Sequence, residues 1–328
     1  ADYLARWNPA TEKWEAVVAG IPAKVWSMSF DANGDLYIGG EFTDFGSADG
    51  DYIVKITDIN GTPAINALGA GTQNYVRSIA IAPNGDIYAS GGFTSAGGVA
   101  NTAYIAKWDG TVWSALATGL NAAVNTLAFA PNSDLYIGGY FTNADGTYGD
   151  YLCYWNGTTF NRVGTVELNA RVNTLAFDGF GNLYVGGNFT NAGGNANCDY
   201  IAAWTGTSWD ALSTGTNGAV SSLTVSNGKV YAAGLFTTTG SLTLTDRVAI
   251  WSNGAWIPLD IDLPGTSQVN AILPASDGSL YIGRAFTTAG TAGTPNAKCG
   301  IVSDRILAIG VASASANTYP YIQVRGPG

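Results

Sequence analysis

One phrase, repeated six times, constrains this chain more than anything else in it. Leu36-Tyr37-Ile38-Gly39-Gly40-Glu41-Phe42-Thr43 returns at residues 87–94, 135–142, 183–190, 230–237 and 280–287. Its phenylalanines, Phe42, Phe93, Phe141, Phe189, Phe236 and Phe286, stand 47 to 51 residues apart. Between these phrases a second unit recurs, Tyr3-Leu4-Ala5-Arg6-Trp7, with counterparts starting at Tyr52, Tyr104, Tyr151, Tyr200 and Val248. A further aromatic follows it at Trp14, Trp113, Phe160, Trp209 and Trp256. Self-similarity at this period marks an array whose units bury their apolar faces only against their neighbours.

Each copy reads as four short strands, in the third copy 124–130, 135–142, 151–155 and 160–163. Aromatic and β-branched residues fill the runs, while Gly, Asn, Asp and Pro fill the gaps. Asn33-Gly34, Asn84-Gly85, Asn227-Gly228 and Asp277-Gly278 are dipeptides that accept the positive φ of a tight hairpin. No helical period occurs. Four antiparallel strands in about 48 residues is the period of a propeller blade. The expected fold is therefore all-β, a β-propeller of six four-stranded blades. A seven-bladed count remains the alternative if residues 301–309 supply a seventh third-and-fourth-strand pair. The N-terminal hairpin, residues 3–18, is expected to close the ring by completing the blade begun at 269–287. Residues 1–296 then form the propeller, and 297–328 an exit segment leading toward a further module. The glycine doublet is expected where a backbone or ring approaches closely, and the repeated Phe and Trp are expected to fill the space between blades.

Composition narrows the function classes. Charged residues make up 12% and hydrophobic ones 46%, the opposite of a disordered chain. A net charge of −10 lacks the cationic footprint of a nucleic-acid binder. Histidine is absent, which removes imidazole-based nucleophilic catalysis, His-ligated zinc and imidazole proton shuttles. Cys153, Cys198 and Cys299 are too few and too widely spaced for a disulfide framework or a zinc site. Free half-buried thiols are expected, with a Cys198–Cys299 bridge left open. No run reaches the ~18 apolar residues of a membrane helix. The chain starts at Ala1 and stops at Gly328, and is read as a piece of something longer.

The Gly39-Gly40 doublet, together with the aromatic pair of Trp7-Asn8-Pro9-Ala10-Thr11-Glu12-Lys13-Trp14, resembles the kelch repeat. Residues 183–194 followed by 200–215 are closer still to the propeller repeats of fungal cortical-marker proteins and of assorted bacterial and phage proteins. That resemblance covers about residues 1–290 and implies fold far more than function. The doublet is broken at Ala233-Gly234 and Gly283-Arg284, and the second copy has Ile56 and Thr62-Pro63 in place of the aromatic pair. Asn317-Thr318-Tyr319-Pro320-Tyr321-Ile322-Gln323-Val324-Arg325-Gly326-Pro327 resembles the opening of a β-sandwich module in tail proteins of long-tailed phages. An extended linker is the alternative for that segment.

Glycosidic cleavage needs two facing carboxyls, one with a raised pKa. There are only four glutamates, Glu12, Glu15, Glu41 and Glu167, and most aspartates sit in repeated turns. Asp31-Ala32-Asn33-Gly34-Asp35 faintly resembles a calcium loop but lacks the distal glutamate. No metal or cofactor is expected. Glu41 occupies a slot that varies across the copies, taken elsewhere by Gly92, Tyr140, Asn188, Leu235 and Ala285. The segments after each Phe-Thr vary in the same way, and variable loops on a rigid scaffold are where recognition sits. Asp44, Asp49, Asp51, Asp145, Tyr148 and Asp150 form the candidate ligand-binding rim. The leading expectation is a non-enzymatic recognition or structural propeller, extracellular or on a virion surface as a phage tail or receptor-binding component. Its partners would be a host-surface glycan or protein and other virion tail proteins, with no nucleic acid and no membrane insertion. Two alternatives stay open: a polysaccharide-degrading hydrolase or lyase using Asp/Glu, and a bacterial surface adhesin.

Overall fold

A computed structural model of the chain describes residues 4–8, 13–146, 149–242, 247–258, 268–274, 280–284, 299–302, 306–310, 312–314 and 317–319. The architecture is all-β, a six-bladed β-propeller-like arrangement of open four-stranded sheets. Blade I comprises Val25–Phe30, Leu36–Gly40, Ile53–Thr57 and Ala64–Ala67. Blade II comprises Val76–Ile81, Ile87–Gly91, Ile105–Trp108 and Trp113–Ser114. Blade III comprises Val124–Phe129, Leu135–Gly139, Leu152–Trp155 and Phe160–Arg162. Blade IV follows with Val172–Phe177, Leu183–Gly187, Ile201–Trp204 and Trp209–Asp210, and blade V with Val220–Ser226, Lys229–Gly234, Val248–Ser252 and Ala255–Pro258. The chain divides into two compact units, residues 1–4 with 16–172 and residues 5–15 with 173–328.

Blade VI departs from the expected closure. Val269–Pro274 and Leu280–Arg284 pair as in the other blades, but the next position is taken by Ile306–Gly310, running parallel to Leu280–Arg284. Cys299–Val302 lies outermost. The N-terminal hairpin, Ala5–Asn8 with Lys13–Ala16, forms a two-stranded sheet of its own. Recruiting a segment some 20 residues downstream closes a far shorter loop than recruiting the N-terminus, a difference worth about 2 kcal/mol in chain entropy.

The repeated residues have packing roles. Phe42, Phe93, Phe141, Phe189 and Phe236 are fully buried, while Phe286 lies outside the described residues. The first glycine of the doublet admits the next blade: a Cβ on Gly39 would lie 2.5 Å from Val76 Cγ1, and one on Gly138 2.5 Å from Val172 Cγ1. The second glycine passes against backbone, where a Cβ on Gly40 or Gly139 would collide with the carbonyl oxygen of Lys24 or Ala123. The aromatic pairs face each other across the outer hairpin, Trp108 with Trp113 at 5.4 Å and Trp155 with Phe160 at 4.9 Å between centroids.

One device joining neighbouring blades has a plain sequence signature, Val-x-Ser/Thr at the start of the first strand in blades I to V. A bulge between Val25 and Ser27, repeated between Val76 and Ser78 and between Val220 and Ser222, turns the hydroxyl toward the following blade. Ser27 Oγ accepts the amide of Ile79 at 3.0 Å, and Ser78 Oγ that of Leu127 at 3.1 Å. Thr174 Oγ1 and Ser222 Oγ accept from Leu223 and Ile272 at 3.1 and 3.2 Å.

The hairpin turns at the opposite sheet end are structural. Lys55 Nζ lies 3.2 Å from Asp31 Oδ2 and 2.8 Å from Asp35 Oδ2, and Lys107 pairs with Asp86 at 3.1 Å. Asp31 Oδ1 also accepts the amides of Asn33 and Asp35, so the loop that resembles a calcium site spends its carboxylates on an ammonium and on its own turn. Burial pushes the Asp31 carboxyl up, but the Asp35 amide, Lys55 and the Asn33 amide outweigh it and hold the group below its usual value. Such a group contributes stability above the unfolded carboxyl pKa of 3.8 and loses it as pH falls through the lower folded value. Lys55→Met is therefore expected to cost about 1 kcal/mol at neutral pH. Thermal midpoints of the two proteins should converge when the comparison is repeated well below pH 4.

Candidate functional site

The segments joining second to third strands are held in closed loops. Each starts from the buried Phe and ends at a residue in the left-handed region: Tyr52, Tyr104, Tyr151 and Tyr200 have φ of 61°, 67°, 65° and 62°. The tyrosine amide donates to the carbonyl of that Phe, as from Tyr151 to Phe141 at 2.7 Å. Its own carbonyl accepts from the doublet's second glycine, as from Gly139 at 3.0 Å. The conformation costs about 1 kcal/mol or more at a non-glycine residue, and these paired bonds hold it. The same loops are tied to the preceding blade connections. Asn121 Oδ1 accepts from Thr142 and Asn143, and Asn217 Oδ1 from Thr237 and Thr238. Loops and connections therefore share one end of the sheets.

The aspartates of the expected rim divide among different tasks. Asp51 Oδ1 accepts the amide of Asp44 at 2.9 Å, closing the blade I loop, and Asp199 does the same for Asn191 at 2.8 Å in blade IV. Asp145 Oδ1 accepts from the amide and hydroxyl of Thr118 at 3.2 and 2.5 Å, fastening the blade III loop to the preceding connection. Asp44 and Asp49 are exposed. Tyr148 lies outside the described residues.

Asp150 stands in the repeat position of Asp51 and Asp199, yet the loop-closing bond is absent there: the Asn143 amide goes to Asn121 instead. What faces Asp150 is Glu167, from the connection between blades III and IV. Glu167 Oε1 accepts the amide of Gly149 at 3.1 Å and pairs with Arg162 Nη2 at 3.0 Å. Burial first, and then the charge of Glu167, push the Asp150 carboxyl above its ordinary value. Glu167 thus reaches the residue next to Asp150 and is supplied with a guanidinium and an amide N–H. Glu167 was visible in the sequence as one of four glutamates. Its partnership with Asp150 depends on a loop path that spacing does not encode.

The slot occupied by Glu41 lies beside the residue that precedes each first strand. Glu41 N donates to Lys24 O at 2.8 Å, and Tyr140 N to Ala123 O at 2.8 Å. Lys24 Nζ meets Glu41 Oε2 at 3.1 Å. Arg171, which ends the connection carrying Glu167, lies 5.2 Å from the ring centroid of Tyr140, which begins the loop carrying Asp150. Cys153 and Cys198 are free and buried. Burial pushes the Cys153 thiol up, and burial followed by Asp210 and Asp199 pushes Cys198 up to about 11, so neither is an activated thiolate. The side chain of Cys299 lies outside the described residues.

No family model matches the chain, and no curated protein matches it. Among solved structures it is similar to a catalytically inactive histidine-to-alanine form of virginiamycin B lyase from Staphylococcus aureus with quinupristin. The TM-score is 0.53 at 12% identity, covering 92% of this chain and 86% of the other. The selenomethionine form of that lyase gives 0.51 at 12% identity, covering 90% and 89%. YCF48 bound to a D1 peptide gives 0.52 at 11% identity, covering 81% and 77%. At these identities the likeness establishes the fold.

These findings correct several expectations. The resemblance to kelch, fungal cortical-marker and phage-tail repeats is not sustained: no such family matches, and none of these three structures is a tail protein. The step from a rigid, histidine-free propeller to a non-enzymatic module also fails, because the same architecture carries a lyase. The assignment as a phage tail or receptor-binding component, with host-surface and virion partners, is withdrawn along with it. The virion surface is dropped from the expected location as well.

Proposed function

We propose that this chain is a polysaccharide-degrading hydrolase or lyase that works through Asp150 and Glu167. The observation that carries it is the opposed environment of these neighbouring carboxyls, with Asp150 pushed up by burial and by Glu167. Cleaving a glycosidic bond takes one carboxyl that delivers a proton to the leaving oxygen and one that acts as base or nucleophile. Asp150 is the proton donor, and Glu167, oriented by Arg162 and the Gly149 amide, is the base. A histidine-to-alanine form of the similar lyase is catalytically inactive. This chain has no histidine, so proton transfer falls to its carboxyls. Asp150 ends a loop held by the Tyr151–Phe141 bond, and Glu167 is fixed by Arg162 and by the Gly149 amide of that loop.

The test is release of oligosaccharides from a panel of acidic and neutral polysaccharides, followed by new reducing ends and by absorbance of unsaturated products. Glu167→Gln is expected to lower the release rate by about 10²-fold or more. Release by the wild type that persists unchanged in both Glu167→Gln and Asp150→Asn would remove the pair from the mechanism, and no release from any polymer would remove the reading.

A further inference from the structure

The second residue of the first strand has a structural task in two blades. Asn125 Nδ2 donates to Val172 O at 2.8 Å, and Asn173 Nδ2 donates to Val220 O at 2.8 Å. Blades I and II abandon that bond and place Trp26 and Arg77 there. The Arg77 guanidinium carbon lies 5.4 Å from the Trp26 ring centroid, and Lys24 Nζ lies 5.4 Å from it as well. Lys24 is neutralised by Glu41, but among the described residues Arg77 has neither a carboxylate partner nor a hydrogen bond, and it is exposed. Contact with an indole holds a guanidinium in place while leaving its five N–H donors unused. Tyr75, one residue before the same strand, lays its ring over Gly92, a close approach that a side chain at 92 would obstruct.

We infer that Lys24, Trp26 and Arg77, flanked by Tyr75, form a subsite for the carboxylate of an acidic saccharide, a uronate. Arg77 offers the planar fork that matches a carboxylate, Lys24 adds a second positive charge on exchange from Glu41, and the two aromatic rings supply apolar surface to the sugar. The inference rests on the reading of the chain as polysaccharide-degrading and names the substrate class. Lys24 and Tyr75 each immediately precede a first strand, at the same end of the sheets as Asp150 and Glu167. The net charge of −10 does not oppose this contact strongly, since charges beyond about 8 Å are largely screened at physiological ionic strength.

The experiment is calorimetric titration of the full chain with an oligo-uronate, a sulfated oligosaccharide and a neutral oligosaccharide of equal length. The oligo-uronate is expected to bind at least tenfold more tightly than either of the others. Arg77→Gln should lose about tenfold or more in affinity for it, with Arg77→Lys intermediate and the thermal midpoints of both unchanged. Equal affinity for the neutral oligosaccharide, tighter binding of the sulfated one, or wild-type affinity in Arg77→Gln would each overturn the subsite. Thr158→Ala, in an exposed turn, should bind the oligo-uronate as the wild type does. Uronate binding without any cleavage by the wild type would retire the catalytic pair and leave the subsite standing.

Discussion

Asp150→Asn is expected to slow polysaccharide cleavage by about 10²–10⁴-fold, the usual worth of a positioned acid, without unfolding the protein. The amide keeps the shape of the side chain and removes its proton. Stability should move the other way from activity. A carboxyl whose folded pKa lies above its unfolded 3.8 holds a proton in the native state that the unfolded chain has given up. Stability is therefore lost as pH rises between those two values, and the asparagine variant escapes that loss. A thermal midpoint at neutral pH equal to or slightly above that of the wild type, beside a collapsed rate, is the expected pattern. The wild-type rate should fall as pH climbs through the raised Asp150 value, because the donor must keep its proton. A variant that loses rate and midpoint together would assign Asp150 to loop closure, the task of Asp51 and Asp199.

Phe141→Ala should produce the largest loss of stability, about 3–5 kcal/mol, lowering the thermal midpoint by roughly 10 °C. The ring is fully buried in a cluster with Leu120, Ile137 and Trp155. The Phe141 carbonyl also receives the Tyr151 amide, which anchors the loop bearing Asp150. Binding and cleavage should weaken below the melting transition, where a surface change in the same blade, such as Thr158→Ala in an exposed turn, leaves both intact. Phe141→Leu, which keeps most of the volume, is expected to cost less than about 1.5 kcal/mol. Equal costs for the two would mean that the site collapses around the missing ring.

The periodic part of this molecule was legible because its causes are local. Period-2 runs, Asn-Gly turns and the doublet at Gly39-Gly40 each determine their own few residues, and six copies repeat the message. The Val-x-Ser/Thr rung was equally open to view, present at Ser27, Ser78, Thr174 and Ser222, but it reads as ordinary strand polarity until the bulge turns the hydroxyl outward. The closure of blade VI is not legible in the sequence, because any edge strand of matching polarity can complete a sheet and composition does not rank Ile306–Gly310 against the N-terminal hairpin. The candidate site was half visible. Asp150 is one of five aspartates in the expected rim, and its surroundings set it apart from the other four, not its residue type. What separates Asp150 from Asp51 is the choice of the Asn143 amide to bond Asn121, a matter of loop path and not of residue type. Arg77 and Trp26 occupy a strand position whose meaning became clear only once Asn125 and Asn173 showed what that position normally does.

The serine and threonine rungs make four backbone protons into reporters. The amides of Ile79, Leu127, Leu223 and Ile272 each donate to a hydroxyl of the blade before. Their hydrogen exchange should follow the opening of the preceding neighbour, not that of the blade in which they reside. Measured one by one, they would show whether the chain comes apart as a whole or peels a single blade at a time.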